Sequence, residues 1–330
     1  MPISINKNSI NFGTYSISLH PGGIEIDGKF KYGSYATPPP PTQAQGSVSG
    51  YTSAGTPFQT TIDKFPFASD GNATDVGDLT QSRGETAGQS SDVSGYTSGG
   101  TGPIRFNTID KFPFATDTNA TDVGDLTQTR KSLTGQMSTA SGYSSGGWVP
   151  SYVDTIDKFP FAADANATDV GDLPGTLGFG IGGTSSTVSG YTAGGFPDVN
   201  RIEKFPFATD TNATDVGDLT QGRSANGGNS ENSTENGYAS GGASGGPTSY
   251  VNTIDKFPFA ADANATDVGD LTQAKKVAAG QSSTVSGYAS GGIAPPNVNT
   301  IEKFPFATDA NATDVGDLTV ARSTAAGQQV

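Results

Sequence analysis

The sequence predicts an all-β protein: a closed ring of six four-stranded blades, a β-propeller, preceded by a short β-rich segment. Three observations carry this expectation. The peptide Ile-(Asp/Glu)-Lys-Phe-Pro-Phe-Ala occurs six times, starting at Ile62, Ile109, Ile156, Ile202, Ile254 and Ile301. Its spacing of 46 to 52 residues fits a four-stranded blade rather than a short solenoid coil. Each copy lies among three other segments in a fixed order, and glycine and turn residues bound the segments as they bound strands. Finally, the array opens on a second segment, Ser47-Val48-Ser49-Gly50-Tyr51, and closes on a first, Arg322 to Gln328. Joining the two ends completes a blade, which an open solenoid would have no need to do.

Taken in chain order, residues 1–36 form the first element. Ile3, Ile5, Ile24 and Ile26, with Phe30 and Tyr32, show strand-like alternation. So short a segment buries too little surface to be stable alone. It is expected to anchor the chain by pairing with copies of itself or docking into a larger assembly; a partly disordered tail is the alternative. Residues 37–46 contain Pro38-Pro39-Pro40-Pro41 and read as a stiff, extended linker. Residues 47–330 are the propeller.

Within a repeat the first segment follows a basic residue and ends in Ala-Gly-Gln or a variant, as in Arg83 to Gln89, Arg130 to Gln136 and Lys275 to Gln281. Its small side chains suit an inner strand at a crowded axis. The second segment is Ser-Gly-Tyr followed by a glycine pair, as at Ser94-Gly95-Tyr96 with Gly99-Gly100. In the third, alternation puts Ile62, Lys64 and Pro66 on one face and Asp63, Phe65 and Phe67 on the other. Both faces carry apolar groups, as a blade between two neighbours requires. Proline cannot donate to a ladder, so a bulge or a missing bond is expected at Pro66 and its equivalents. The fourth, Ala73 to Leu79, carries two carboxylates that blunt an exposed edge, and is read as the outermost strand.

Composition limits the chemistry. There is no cysteine, hence no disulfide and no thiolate metal site. The only histidine, His20, precedes the repeats, so imidazole catalysis is not expected in the ring. A formal charge of -14 argues against a nucleic-acid partner. No apolar run is long enough to span a bilayer, and the first residues lack the layout of a secretory signal, so synthesis in the cytoplasm is expected.

The Asp-x-Asn between third and fourth segments, as at Asp70-Gly71-Asn72 and Asp117-Thr118-Asn119, reads as a solvated hairpin turn. As a calcium loop it is incomplete: Asp75 stands where the sharp-turn glycine belongs, and the bidentate glutamate is missing. No metal or cofactor is expected. Asn-Ala-Thr also fits the glycosylation acceptor at six positions, which turn chemistry explains as well. Because the repeated carboxylates are alike in every copy, they do not form the singular pair that glycoside hydrolysis needs.

Departure from the repeat is the better guide to binding. Between the Gly-Gly turn and the Phe-Pro-Phe strand the copies stop agreeing, and these loops share one rim. They hold the only Trp, Trp148, together with Arg105, Phe106, Tyr152, Phe196 and Tyr250. Aromatic groups with Arg on variable loops of a rigid scaffold suit recognition of sugars or proteins; neutral drift with contacts inside a particle is the competing account. A second irregularity, Leu173 to Gly183, lacks the basic residue and the Gln and is read as a decayed copy or a wider inner strand.

Arg-x(4)-Gly, then Gly-Tyr-x-x-Gly-Gly, then Ile-Asp-Lys-Phe resembles the kelch repeat family of β-propellers over residues 44 to 330. It departs from that family in the outer strand, where Val-Gly-Asp replaces the usual Trp and puts close packing in question. The peptides Lys-Phe-Pro-Phe-Ala and Asn-Ala-Thr-Asp-Val-Gly-Asp-Leu are similar to repeats of virion structural proteins and tail fibres of marine bacteriophages. That resemblance implies a non-enzymatic virion protein, a tail fibre, spike or peripheral appendage, located in the virion. Residues 1–36 would engage other virion proteins, within a homo-oligomer or larger assembly, and the rim would meet a host-surface glycan or protein. A capsid or tail decoration protein with purely structural contacts is the alternative, and a carbohydrate-active propeller enzyme is a third.

Overall fold

The computed structural model describes residues 45–175, 180–224, 231–246 and 248–330, together with five strands before them. The chain divides into two compact units, Met1–Thr42 and Gln43–Val330.

In the first unit Ile3–Asn6, Ser9–Phe12, Tyr15–His20, Gly23–Ile26 and Phe30–Tyr32 make a five-stranded antiparallel meander. Register aligns the apolar positions that alternation picks out: Ile5 opposes Ile10, Ile10 opposes Ile17, Ile17 opposes Ile26 and Ile26 opposes Phe30.

The second unit is a six-bladed β-propeller. Blade 2, for instance, runs outward through Ala87–Ser90, Ser94–Ser98, Thr108–Pro113 and Thr121–Asp125, each strand antiparallel to the last. The ring closes as expected: Ala326–Gln329 pairs with Ser49–Ser53, Ala326 opposite Ser53, and supplies the innermost strand of blade 1. In blade 5 the described residues form three strands, Asn236–Ser240, Thr253–Pro258 and Thr266–Asp270, and Asn232 bridges to Gly237 on their inner side. The propeller unit also begins earlier than residue 47. Gly46 bridges to Ser283, and the Gln45 side chain donates to the carbonyl of Asn232 at 3.0 Å.

Three layers of contact join the blades, and each recurs from blade to blade. The middle layer is apolar. Tyr51, Ile62 and Leu79 of blade 1 pack on Phe112, Phe114 and Ala120 of blade 2, so the Ile face of a blade looks forward and its Phe face looks back. The ring of Tyr51 lies 4.9 Å from that of Phe114, and Tyr96 lies 4.8 Å from Phe161 in the next interface.

Beneath it runs a line of buried ion pairs. The basic residue that precedes each first segment reaches into the blade it introduces: Arg83 to Asp110, Arg130 to Asp157, Arg223 to Asp255 and Arg322 to Asp63, each at 3.0 Å with both side chains fully buried. Burying such a pair is costly unless further hydrogen bonds meet its other donors and acceptors, and here all but the arginine Nε are met at Arg83. Arg83 also donates to the carbonyls of Thr97, Gly99 and Thr108, and Asp110 accepts from the amide and hydroxyl of Thr80. Lys275 and Glu302 make the same connection in blade 6. At blade 4, where Leu173 to Gly183 lacks the cation, Arg201 supplies one from within the strand, 3.0 Å from Glu203. The irregular copy is thus compensated, and its inner strand forms at Gly182–Ser185.

The outermost layer gives the Asp-x-Asn turn, exposed as expected, a second role between blades. Six lysines each bridge to the turn of the following blade, from Lys64–Asp117 and Lys111–Asp164 around to Lys303–Asp70. The asparagine completes the junction: Asn119 Oδ1 accepts the amide of Asp78, and the amide of Ala120 donates to the Asp78 carbonyl. Val-Gly-Asp, where close packing was in question, is the seat for this turn. A β-carbon on Gly77 would lie 2.7 Å from the Thr118 carbonyl oxygen, so only glycine lets the neighbouring backbone approach so closely. The bulge expected at Pro66 lies elsewhere. Register shifts between Ile62 and Asp63 opposite Val76, while Pro66 ends its strand opposite Ser49.

At the axis the first strands press together, and a β-carbon on Gly135 would fall 2.0 Å from the Gly88 carbonyl oxygen. Here the glutamines act as cross-blade donors, a role that composition did not reveal. Gln89 Nε2 donates to the Tyr143 carbonyl and the Ser144 hydroxyl, Gln281 to the Tyr51 carbonyl and Gln328 to the Tyr96 carbonyl.

Candidate binding rim

Antiparallel order separates the connections onto two faces. Second-to-third loops and blade-to-blade crossovers share the rim face; first-to-second turns and Asp-x-Asn turns share the other. In five of the six blades the variable loop is built on the crossover into its own blade, because the residue after the buried cation pairs with the head of the loop; among the described residues blade 4 has no such bridge. Gly84 bridges to Thr101, Lys131 to Trp148, Ser224 to Ala243, Lys276 to Ile293 and Ser323 to Thr56. Short hairpin bridges, Thr101 to Arg105, Trp148 to Tyr152, Ala243 to Tyr250 and Ile293 to Asn297, then fold four of these loops back. The divergent sequences therefore stand on a backbone framework that hardly varies.

Four of the six expected rim residues form one band across blades 2 to 4. The Arg105 guanidinium lies 4.9 Å from the centre of the Trp148 ring, and Lys131 Nζ lies 5.5 Å from it. One loop further on, Tyr152 packs against Phe196, ring centres 5.7 Å apart at 43°. Phe196 is 44% exposed, while Arg105, Trp148 and Tyr152 are half-buried. Phe106 serves the scaffold: its amide donates to the Gly100 carbonyl, its own carbonyl accepts from Arg130, and its ring packs beside Gly102. Tyr250 belongs to a second pairing, with Lys276 Nζ 5.0 Å from its ring centre.

Two rim residues escaped the sequence reading. Phe58 is exposed on the first loop, and Lys131 joins the band from a crossover. Aligning the first blade on its third strand would have found Phe58. Nothing local in the sequence puts Lys131 beside Trp148.

Two non-repeated carboxylates on this face are structural. Glu85 accepts from Lys131 Nζ at 3.1 Å and from the Ser132 hydroxyl. Asp198 accepts from the Ser224 hydroxyl at 2.7 Å and the Gly245 amide at 3.1 Å. Each ties one crossover or loop to the next, leaving neither placed as a free acid or base. Nearer the axis Glu85, Ser132, Val277 and Thr324 all take left-handed backbone, with φ between 52° and 59°. Their amides run from blade to blade, Ser132 N to Glu85 O, Glu85 N to Thr324 O and Thr324 N to Val277 O. With Thr86, Leu133 and Gly180 they line a shallow dimple.

Among the described residues no group of three or more acidic or histidine side chains is gathered as a metal site would gather them. The oxygens a calcium reading of Asp-x-Asn needs are already engaged, Asp70 by Lys303 and Asn72 by the amide of Asp317. No helix of the described residues is long and apolar enough to cross a membrane. One buried acid stands out on the inner strands. Glu231 takes the place that Gln holds in four blades, and burial pushes its carboxyl up to about 8, against weaker opposing effects that include hydrogen bonding from Ser240 and the charges of Lys275 and Arg223.

The opposite face carries a different signature. Val48, Val93, Val188 and Val285 occupy equivalent turn positions and are 59 to 69% exposed. Gln45 and Gly46 enter the propeller on this face, beside Ser282 and Ser283.

No protein-family model matches the chain, and no curated protein matches it.

Proposed function

We propose that the chain is a non-enzymatic structural protein of a bacteriophage virion, part of a tail fibre, spike or peripheral appendage, whose propeller is a recognition module for the host surface. The observation that carries the recognition role is where variation falls: blade interfaces repeat with few substitutions, while aromatic and cationic side chains differ from loop to loop on one face. A rigid frame presenting divergent loops is how binding surfaces are commonly built. The kelch-like landmarks fit this use of the fold, and the phage-like peptides motivate the virion setting.

Structural contacts with neighbouring subunits are the second reading, favoured by the exposed valines at equivalent turns. β-Branched apolar side chains at tight turns serve no local need, and exposed apolar clusters mark interaction surfaces. The test is cryo-electron microscopy of the intact particle with adsorption assays on loop-substituted particles. Recognition is supported by a solvent-facing rim and slowed adsorption after substitution of Tyr152 and Phe196. A rim packed against neighbouring subunits, or unchanged adsorption, overturns it in favour of decoration.

A further inference from the structure

We infer that the rim between blades 2 and 4 takes an acidic glycan, with Arg105 and Lys131, both held against Trp148, receiving its anionic group and the Tyr152–Phe196 pair receiving a sugar face. This rests on the reading of the rim as a recognition surface and names what it recognises.

The chain holds 18 Lys and Arg against 32 Asp and Glu, and the propeller places its cations with care. Six lysines are committed to the outer bridges, five cations to the buried pairs and Arg201 to Glu203. Arg105 is in none of these pairs. Among the described residues no carboxylate lies within ion-pair distance of it; its Nε, like that of the buried Arg83, Arg130, Arg223 and Arg322, has no hydrogen-bond partner. A guanidinium with no counter-ion on so acidic a protein, fixed over an indole, is prepared for an anion from outside.

Lys131 sits on the same ring, and its bridge to Glu85 leaves the cluster of Arg105, Lys131 and Glu85 with one net positive charge. That charge matches a single carboxylate, which guanidinium binds through paired donors in a geometry that ammonium cannot copy. The cation–π contacts orient both groups and so reduce the ordering cost of binding. Beside them the Tyr152–Phe196 pair offers a half-exposed apolar platform on which the C–H face of a pyranose can lie. A lone anion needs no such platform, and a neutral glycan needs no uncompensated Arg.

Trp148 is the only tryptophan in the chain, so its fluorescence reports on this cluster directly. Titration of the full chain with trigalacturonate is expected to change that fluorescence saturably. Arg105→Met, which keeps the stem over the ring, should weaken binding at least tenfold; Phe196→Ala, away from the cations, should weaken it severalfold with the Trp148 signal intact. Inorganic phosphate binding as tightly as trigalacturonate would reduce the site to an anion hole and overturn the glycan assignment. Maltotriose binding equally well and indifferent to Arg105→Met would overturn the acidic ligand class while leaving the recognition reading in place. No response to any of the three sugars and ions, with adsorption still sensitive to Tyr152 and Phe196, overturns this inference alone; insensitive adsorption removes the reading beneath it.

Discussion

Glu231→Gln should stabilise the propeller, and by an amount that depends on pH in a calculable way. Glu231 is 1% exposed, its oxygens accept from the Ser240 hydroxyl and from its own backbone amide, and the nearby cations Arg223 and Lys275 are already paired with Asp255 and Glu302. Burial therefore holds its carboxyl near 8 instead of the ordinary 4.5. Between those two values the folded state keeps a proton that the unfolded state has lost, so stability falls as pH rises. The slope is about 1.4 kcal/mol per pH unit, and the loss reaches about 5 kcal/mol by pH 9, where both states are ionised. Against a typical domain stability of about 5–15 kcal/mol that is a large penalty. Glutamine cannot ionise, and at this position in four other blades it fits and donates across the interface. Urea unfolding of both proteins at intervals from pH 4 to 9 isolates the effect, since every other titrating group cancels in the difference. The curves should lie within about 1 kcal/mol of each other at pH 4 and diverge steadily up to pH 8. Parallel curves over the whole range, or a variant less stable at pH 9, would refute the reasoning.

Other perturbations follow from the three interface layers. Arg130→Met leaves Asp157 buried and unpaired and should cost about 3–5 kcal/mol by chemical denaturation, most of it recovered when Asp157→Leu is added. Lys158→Ala removes an exposed bridge to Asp210 and a contact 5.9 Å from the Tyr143 ring centre, and should change stability by less than about 1 kcal/mol. Gly135→Ala drives a methyl into the Gly88 carbonyl, and an overpacking cost of about 1–3 kcal/mol or more should appear as a lowered Tm. Deleting residues 326–330 removes the inner strand of blade 1, and hydrogen exchange should then show lost protection in Ser49–Ser53 first.

The architecture was legible because its signals are local and repeated. Blade number, strand order, closure and the forward and backward faces of Ile62 and Phe65 all follow from one period and one alternation. What escaped is what happens between repeats. Asp70 and Asn72 look like turn residues within one copy, and only the neighbouring blade reveals them as acceptors for Lys303 and the Asp317 amide. The Arg130–Asp157 pair and the cross-blade bonds of Gln89 are hidden for the same reason, since a linear pattern marks both partners without joining them. Arg201 rescues blade 4 from a position that is Thr in other copies, so the loss of the crossover cation was visible and its replacement was not. At the rim, divergence located the loops correctly, but the role of each side chain depended on the crossover below it. Thus Lys131 was overlooked, and Phe106 proved to be scaffold.

Closure also bears on how such a gene can change. Near-identical tandem copies invite unequal recombination, which adds or removes one unit at a time. An open array tolerates that, because each addition merely lengthens it. In this ring the last strand must meet Ser49–Ser53, and Lys303 must find Asp70, so five or seven units would have to reset every interblade angle at once. The number of blades is therefore held by geometry while the loops remain free to vary. Diversity can accumulate on the rim without passing through a broken circle.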